Sequence, residues 1–427
     1  MSLPRYEEYK NSGLDWLPTV PSHWDVCALK RVTSLKSGDS ITSEQITEAG
    51  DYAVYGGNGL RGFTSSFTHE GRFALVGRQG ALCGNVNYSQ GKFWASEHAV
   101  VATPIKPAET TWLGELMRAM NLNQYSVSAA QPGLSVELIS NIGVPYPPLA
   151  EQTAIAAFLE RETAKIDALI AEQEKLLALL AEKRQATISH AVTRGLNPDA
   201  PMKDSGVAWL GEVPAHWGVT RLKFIASVQT GIAKGKDTTG KETITVPYLR
   251  VANVQDGYLA LDDIATIDIE AEQLERYRLE PGDVLMNEGG DFDKLGRGAI
   301  WHGEIADCIH QNHVFAVRSH GVSSEWLNRI TSSQYAQFYF MARSKQSTNL
   351  ASISSSNIME LPVVLPPEDE QTKVLEFIDE ETTRLDALNA ESQRAISLLK
   401  ERRSALIAAA VTGQIDVRGA VAQRESA

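Results

Sequence analysis

Two long stretches of the chain carry apolar and small residues at helical spacing. From Glu151 and again from Glu370, about 40 residues run without proline or glycine, until Gly195 and Gly413. The predicted buried positions follow alternating steps of four and three: Ile155, Leu159, Glu162, Ile166, Leu169, Gln173, Leu176 and Leu180, and then Val374, Ile378, Glu381, Leu385, Leu388, Ser392, Ala395 and Leu399. A heptad pattern sustained in this way predicts two long helices that pair as an intramolecular coiled coil.

The segments that precede the two helices are also copies of each other. Residues 12–38, SGLDWLPTVPSHWDVCALKRVTSLKSG, recur 193 positions later as SGVAWLGEVPAHWGVTRLKFIASVQTG. The helix openings PPLAEQ, from Pro147, and PPEDEQ, from Pro366, lie 219 positions apart. The chain therefore contains an opening motif, a variable part and a long helix twice over, and a pseudo-twofold axis would make the helices antiparallel. The tryptophans that recur with the motif are interpreted as packing residues: Trp16, Trp24, Trp209 and Trp217.

The variable parts between motif and helix have mixed character. Short β-rich runs alternate with glycine-rich turns, at residues 73–77, 99–103, 245–254 and 313–317. Helices are predicted at Thr111–Asn121 and Glu325–Ala342. Each variable part is therefore predicted to be an α+β domain with mixed α/β elements.

Composition and charge narrow the class of protein. The 427 residues are 43% hydrophobic and 22% charged, a balance typical of globular proteins, and the start of the chain lacks the apolar core of a secretory signal. No apolar run reaches the roughly 18 residues of a membrane span. Three widely spaced cysteines favour a reducing cytoplasm over a disulfide framework. The formal charge is −13, with −2 over residues 1–150 and −7 over residues 193–369, so any contact with DNA must be local.

The sequence does not contain complete motifs for nucleotide binding or for a base methylase. Residues 57–62, GNGLRG, match the dinucleotide fingerprint, but FTSSFTHEG follows, which predicts strand and turn where a phosphate site requires a helix. The Pro-Pro pairs lack the flanking residues of a methylase loop that holds a flipped base. No phosphate-binding P-loop for ATP is present.

Metal-dependent chemistry is weakly suggested at two places. Glu288, Asp291 and Asp293 precede Lys294, but nuclease sites place a carboxylate two positions before the lysine, where this chain has phenylalanine. Cys308, His310 and His313 are spaced like zinc ligands, yet no fourth ligand is evident and the alternation fits a strand equally well. We therefore predict no metal site and no catalytic residues.

The plan as a whole resembles the specificity subunits of type I restriction–modification systems. The resemblance rests on the repeated motifs SGLDWLPTVPSHW and SGVAWLGEVPAHW, on PPLAEQ and PPEDEQ, and on the helix endings AVTRGL and AVTGQI. Phrases inside the halves, among them YGGNGLRGF, GRQGALCGNV, PYLRVANVQDG and PGDVLMNEGG, are similar to that family's recognition domains. The resemblance covers nearly the whole chain.

The resemblance implies a division of the chain into two target recognition domains and two helices. The expected segments are a first recognition domain at 1–147, a spacer helix at 148–195, a second recognition domain at 196–366, a second spacer helix at 367–415 and a flexible tail at 416–427. The fold class is thus α+β, with two mixed domains separated by a pair of long antiparallel coiled-coil helices.

The same resemblance implies a non-catalytic, cytoplasmic subunit that reads an asymmetric, bipartite target in double-stranded DNA. The helices would carry two methyltransferase subunits, and such complexes also bind restriction/translocase subunits, up to two. No cofactor is expected in this chain, whereas S-adenosylmethionine, ATP and Mg²⁺ are implied for the partner subunits. No membrane contact is expected.

Candidate base contacts follow from hydrogen-bonding chemistry, because Arg or Lys suits guanine and Asn or Gln suits adenine. In the first domain they lie beside glycine-rich turns: Arg61, Arg78, Gln79 and Lys92. In the second domain they are Lys234, Lys236, Arg250, Lys294, Arg297 and Gln311. The alternative for each is a solvated surface residue. The alternative for the whole chain is a duplicated coiled-coil scaffold that binds proteins or glycans without DNA specificity.

Overall fold

The computed structural model divides the chain into two compact units. Unit 1 contains residues 1–174 and 393–427, and unit 2 contains residues 175–392. The residues that the structure describes are 4–80, 82–126, 133–235, 241–290, 292, 295–296, 298–346 and 351–419. Each unit therefore combines one predicted recognition domain with the start of one long helix and the end of the other.

The helices are α1 to α8, and α3 and α8 are by far the longest. Their bounds are α1 Thr110–Ala119, α2 Val136–Ser140, α3 Leu149–Arg194, α4 Leu274–Tyr277, α5 Ser324–Thr331, α6 Gln334–Arg343, α7 Ser355–Met359 and α8 Glu368–Val411. In the described part of the chain, no helix is both long and apolar enough to cross a membrane.

Unit 1 is built on two four-stranded sheets and two strand pairs. The strands are β1 Tyr9–Leu14, β2 Leu17–Pro21, β3 Asp25–Ala28, β4 Thr33–Ser37, β5 Tyr52–Gly56, β6 Gly59–Thr64, β7 His69–Glu70, β8 Ala74–Gly77, β9 Val86–Tyr88, β10 Lys92–Ala95, β11 Ala99–Pro104 and β12 Gly143–Tyr146. One sheet has the antiparallel order β4-β11-β8-β9. The other has the order β6-β5-β10-β7, in which β10 runs parallel to β5. The pairs are β1-β2 and β12-β3.

Unit 2 repeats most of this topology and adds a three-stranded sheet. Its strands are β13 Met202–Asp204, β14 Glu212–Pro214, β15 Gly218–Arg221, β16 Ala226–Thr230, β17 Thr243–Leu249, β18 Ala265–Glu270, β19 Val284–Asn287, β20 Gly289–Gly290, β21 Gly298–Ile300, β22 Ile309–His310, β23 Val314–Ser319, β24 Lys345–Gln346, β25 Ala351–Ser352 and β26 Pro362–Leu365. The sheets β16-β23-β19-β21 and β18-β17-β22 match those of unit 1, including the parallel pair β17-β22. The added sheet has the order β20-β25-β24. The pairs β13-β14 and β15-β26 match as well, so the predicted α+β duplication is confirmed.

The β-rich runs predicted at 73–77, 99–103 and 313–317 agree with β8, β11 and β23, but the run at 245–254 is a strand only as far as Leu249, and a 3-10 helix follows at Val251–Asn253. One predicted helix is also wrong. Residues 57–62 form the turn and the second strand of the hairpin β5-β6, as predicted, and not the opening of a helix. The helix predicted at Glu325–Ala342 is two helices, α5 and α6. The interruption occurs because the side chain of Ser333 accepts from the backbone N–H of Ala336 and so starts a new helix.

The helices α3 and α8 run antiparallel within each unit. In unit 1, Arg403 Nε lies 3.0 Å from the carboxylate of Asp167, and Ile155 shares a core with Val411. In unit 2, Arg184 pairs with Asp386. Rising numbers on one helix therefore meet falling numbers on the other, as the pseudo-twofold axis predicts.

The buried stripe of these helices differs from the predicted heptad series at three positions. Leu169, Leu176 and Leu388 are exposed, while the next residues along the chain, Ile170, Leu177 and Asn389, are partly buried. In α3 each wrong choice fell on a pair of adjacent apolar residues, so hydrophobicity alone could not select the member that packs. The remaining series is buried or partly buried, and its ends at Ile155 and Val374 lie in the two large cores.

The opening tryptophans pack differently in the two units. Trp24 and Trp217 are fully buried, and Trp16 donates its indole N–H to the carbonyl of Gly143 at 2.9 Å. Trp209 packs against the ring of Tyr339, with centroids 5.8 Å apart, but is 40% exposed, so the packing prediction is only partly confirmed for this residue. Unit 2 has Pro362 at the start of β26, where unit 1 has glycine at the start of β12, and the proline ring lines an open cleft beside Trp209.

The predicted flexible tail begins with packed residues. Val417 is fully buried, and the backbone N–H of Asp416 donates to the carbonyl of Pro4 at 2.8 Å. Arg418 pairs with Asp416, which lowers the pKa of that carboxyl, and lies over the ring of Tyr6 at 4.9 Å. The tail prediction is therefore wrong for residues 416–418, and residues 420–427 lie outside the described part of the chain.

We predict that a side chain at Gly413, the glycine that follows α8, destabilises unit 1. Gly413 has φ +73°, and a Cβ atom there would lie 2.5 Å from Cδ of Pro21. Gly413→Ala should lower the free energy of unfolding by about 2–4 kcal/mol, from left-handed strain plus the clash. The measurement is urea unfolding followed by tryptophan fluorescence.

The matched control is Gly91→Ala. Gly91 has φ +69°, and a Cβ atom added there would meet nothing within 4 Å, so the substitution incurs backbone strain alone, about 1–2 kcal/mol. Equal losses for the two variants would contradict the packing role of Gly413.

Candidate DNA interface

A histidine, a tryptophan and a glutamate join each opening motif to the first turn of a long helix. In unit 1, His23 Nε2 lies 2.6 Å from Glu151 Oε1, and Trp24 Nε1 donates to Oε2 at 3.0 Å. In unit 2 the same atoms of His216, Trp217 and Glu370 lie at 2.6 and 2.7 Å. We call each of these sets a His-Trp-Glu cluster. The same set of contacts, formed once in each unit, thus explains why the sequence SHW recurs as AHW and why EQ occurs at the start of both long helices.

The neighbouring glutamine and the helix endings complete this arrangement. Gln152 donates to the carbonyl of Pro147 and Gln371 to that of Pro366, each at 2.9 Å. The glycine that ends the other long helix packs against the tryptophan, because a Cβ on Gly195 would lie only 3.0 Å from the Trp217 ring. Each unit therefore fixes the start of one long helix and the end of the other around one indole.

Glycines bring three polar loops together at one edge of the unit 1 sheets. A Cβ on Gly77 would lie 2.2 Å from the carbonyl oxygen of Gly57, so only glycine permits this approach. The backbone N–H of Arg78 donates to the carbonyl of His98 at 2.9 Å, and its Nη1 donates to Ser37 Oγ at 3.1 Å. We call the loops at 56–59, 78–80 and 96–98 the unit 1 loop surface.

Three of the four residues predicted in this domain belong to that surface. Arg61 passes over Gly56, since a Cβ there would meet its Cδ at 2.5 Å. Arg78 is partly buried, and Gln79 is exposed. Lys92 lies elsewhere, at the start of β10, where its ammonium group sits 4.8 Å from the centre of the Phe67 ring. The structure therefore brings together two arginines and a glutamine, which can donate to guanine or bond to adenine.

Two asparagines join the unit 1 loop surface although sequence reasoning missed them. Asn85 Nδ2 donates to Asn58 Oδ1 at 2.9 Å, and both side chains are at the surface. The signal was present, because Asn58 lies in the GNGLRG turn and Asn85 lies in GRQGALCGNV. Asparagine suits adenine, so both belong with the candidate base contacts.

Unit 2 has a loop surface at the equivalent place with different side chains. Strand pairing aligns Gly77–Ala99 with Asn287–Val314, so Glu288 occupies the place of Arg78 and His313 that of His98. The backbone N–H of Glu288 donates to the carbonyl of His313 at 2.9 Å, as in unit 1. Here the Glu288 carboxylate also lies 2.6 Å from His313 Nδ1. A glutamate accepts from cytosine rather than donating to guanine, so the two surfaces differ in their base chemistry.

Three of the residues predicted in the second domain lie among the described residues. Lys234 is exposed in the loop after β16, next to Ile232, which pairs with Gln311. Gln311 accepts from the backbone N–H of Val251 at 3.3 Å. Arg250 donates to the carboxylate of Asp263 at 2.9 Å. Lys236, Lys294 and Arg297 lie outside the described residues, so their predicted contacts remain predictions.

The candidate metal ligands have other partners. His310 is buried and its Nδ1 lies 2.7 Å from the carbonyl of Val314, while His313 contacts Glu288. Burial raises the pKa of the Cys308 thiol to about 12, so it is protonated at neutral pH. Within the described residues, no group of histidine, cysteine and carboxylate side chains could hold a metal ion. Asp291 and Asp293 lie outside the described residues.

The chain is similar to known specificity subunits of type I restriction enzymes. Residues 21–178 match the family model of the type I restriction modification DNA specificity domain. The chain is 39% identical over 137 residues to the EcoprrI type I restriction enzyme specificity subunit of Escherichia coli, covering 31% of this chain and 34% of that protein. It is 25% identical over 282 residues to the EcoKI specificity subunit of E. coli strain K12, covering 64% and 58%. The alignments thus span about a third to three fifths of these curated relatives.

A solved structure shares the fold over most of the chain. It comes from work on complex assembly and conformational transition of the type I R-M system, with a TM-score of 0.61 and 19% identity. The alignment covers 93% of this chain and 99% of that one. At this identity the likeness concerns the fold.

We predict that the buried His310 makes stability fall at acidic pH. Its Nε2 is buried with no hydrogen-bond partner among the described residues, and burial lowers its pKa. The unfolded state, with a pKa near 6.5, therefore binds the proton first, so stability is full above about pH 6.5 and declines below it. Urea unfolding between pH 7.5 and roughly 5.5 should have a slope approaching about 1.4 kcal/mol per pH unit from this residue.

The His310→Asn variant keeps a donor for Val314 but does not titrate, so this part of the slope should disappear. His302→Asn, at an exposed position, is the control and should retain the wild-type slope. A slope that is the same in all three proteins would refute the assignment to His310.

Proposed function

Because the chain belongs to the family of type I restriction–modification specificity subunits, we propose that it reads a bipartite DNA sequence, each loop surface reading one half. The observation that carries this proposal is the pair of equivalent loop surfaces on a duplicated fold. Shared backbone contacts place Arg78 in one and Glu288 in the other. Because their hydrogen-bonding chemistry is opposite, the two half-sites should differ in sequence.

In this proposal the chain is a non-catalytic, cytoplasmic subunit of a larger complex. The two-copy plan supports two equal binding places, and we assign them to two methyltransferase subunits, with restriction/translocase subunits joining in complexes that cleave. The chemistry would then belong to the partners, which would bind S-adenosylmethionine, ATP and Mg²⁺. The chain would supply the base contacts and the positions of its partners.

The first test changes one loop surface at a time. Arg78→Ala and Glu288→Ala, each in the full complex with its methyltransferase, should each relax one position in one half-site, by roughly 10- to 100-fold in discrimination. Genomic methylation sequencing gives the target of each variant. Arg72→Ala is the control, because Arg72 pairs with Glu160 away from the loop surface and should leave the target unchanged.

Two results would overturn the proposal. One is that both halves of the target change together in either variant. The other is sequence-independent binding by the wild-type complex, which would favour a scaffold that binds other molecules.

A second prediction concerns salt. Because the net charge is −2 over residues 1–150 and −7 over residues 193–369, phosphate contacts should come largely from the partner subunits. Each neutralised phosphate adds about 0.9 to the slope of log affinity against log salt. We expect a shallow slope for the chain alone and a steep slope for the complex, measured by fluorescence anisotropy from about 50 to 200 mM salt. Equal, steep slopes would contradict this division of labour.

A further inference from the structure

The His-Trp-Glu cluster of unit 1 has a fourth member. Tyr6 is buried against it, with its hydroxyl donating to Glu151 Oε2 at 3.1 Å. Its ring meets the Trp24 ring edge to face, with centroids 5.7 Å apart. Burial and the neighbouring carboxylate raise the pKa of Tyr6, so the phenol stays protonated and remains a donor. The Glu151 carboxylate thus takes three donors and is 11% exposed.

The cluster of unit 2 lacks this member and has a cavity in its place. The cavity measures about 200 Å³ and is lined by Gly195, Ala200, His216, Trp217, Glu370 and Val374, among others. Four of these residues, Gly195, His216, Trp217 and Glu370, are the counterparts of Gly413, His23, Trp24 and Glu151. The last three of the unit 1 residues contact Tyr6. The Glu370 side chain is 34% exposed, three times as much as its counterpart.

Chain connectivity explains why the second cluster is open. Strand pairing makes Met202 the counterpart of Tyr9, since they pair with Pro214 and Pro21 respectively. In unit 1, two separate stretches, residues 4–8 and 414–419, surround the cluster. In unit 2 a single stretch, residues 196–201, joins the helix end to β13 and must replace both. It places no aromatic residue over Trp217.

We propose that this cavity is a binding site for a phenol, such as the side chain of a tyrosine presented by a partner protein. The ring would pack against Trp217, and its hydroxyl would donate to Glu370 Oε2, as Tyr6 does in unit 1. The volume is sufficient, since a cavity of about 150 Å³ in another protein holds benzene. A carboxylate has about four acceptor positions, and His216 and Trp217 use two of those on Glu370. This proposal does not rest on the proposed DNA recognition, because the cavity does not include the loop surfaces.

The test uses the full chain and p-cresol as the probe, with toluene as the ring without a hydroxyl. Isothermal titration should give one p-cresol site with Kd on the order of 1 mM, an affinity reasonable for a ligand this small. Toluene should bind at least about tenfold more weakly, because the hydrogen bond to the carboxylate is lost. Ala200→Phe should fill the cavity and abolish binding, and Glu370→Gln should weaken it about tenfold.

Unit 1 offers a matched positive control within the same chain. Tyr6→Ala should empty the first cluster, so that two p-cresol sites are titrated instead of one. An acetylated peptide of residues 4–8, PRYEE, then distinguishes the two sources of a phenol. Binding of the peptide that depends on its tyrosine hydroxyl identifies a protein ligand, whereas binding of p-cresol alone identifies a free phenol.

Three results would overturn the proposal. They are no saturable binding of p-cresol to the wild-type chain, equal binding of p-cresol and toluene, and unchanged binding in Ala200→Phe. Ala200→Phe provides this readout even where Glu370→Gln fails to fold, since Ala200 lies outside the His-Trp-Glu cluster.

Discussion

The rest of each unit depends on one carboxylate at the start of a long helix, buried in unit 1 and partly exposed in unit 2. Glu151 and Glu370 lie in the first turn, where the helix dipole favours negative charge, and each accepts from the side chains of a His-Trp pair. A charge withdrawn from water is tolerated only when it is paired, so the helix cannot shift along the motif without losing both contacts. Because the same indole touches the glycine that ends the other helix, one cluster sets the register of both helices in its unit.

The fold was largely predictable because the duplication supplied an internal comparison. Residues that recur at fixed offsets, such as Trp24 with Trp217, turned out to be those that share a contact with the helix. Local signals were sufficient for the strands and for the hairpin at 57–62. They failed where packing chooses between neighbours, as at Leu169 and Ile170, and where a side-chain cap divides a helix, as at Ser333.

The candidate interface was only partly predictable, because its composition depends on strand register between distant segments. Arg78 and Gln79 were found from residue type, yet Glu288 was considered only as a metal ligand. Its equivalence to Arg78 follows from pairing between β19 and β23, which no local pattern contains. Conversely, residue type alone selected Arg250 and Gln311, whose side chains bond to Asp263 and to the backbone of Val251.

Two copies of a fold in one chain cannot be fully symmetric, because the chain enters and leaves each copy differently. The differences between the two units occur where the copies are joined. Most of the strand pairings recur in both units, although unit 2 lacks a counterpart of β7 and adds the sheet β20-β25-β24. The surroundings of the clusters depend on how the chain enters and leaves each unit, and here a single six-residue connection replaces two separate stretches. The unit 1 carboxylate is consequently covered by Tyr6, whereas Glu370 keeps the same two donors beside an open cavity. Duplication thus preserves the contact that fixes the helices and leaves one copy with acceptor capacity that the fold itself does not use.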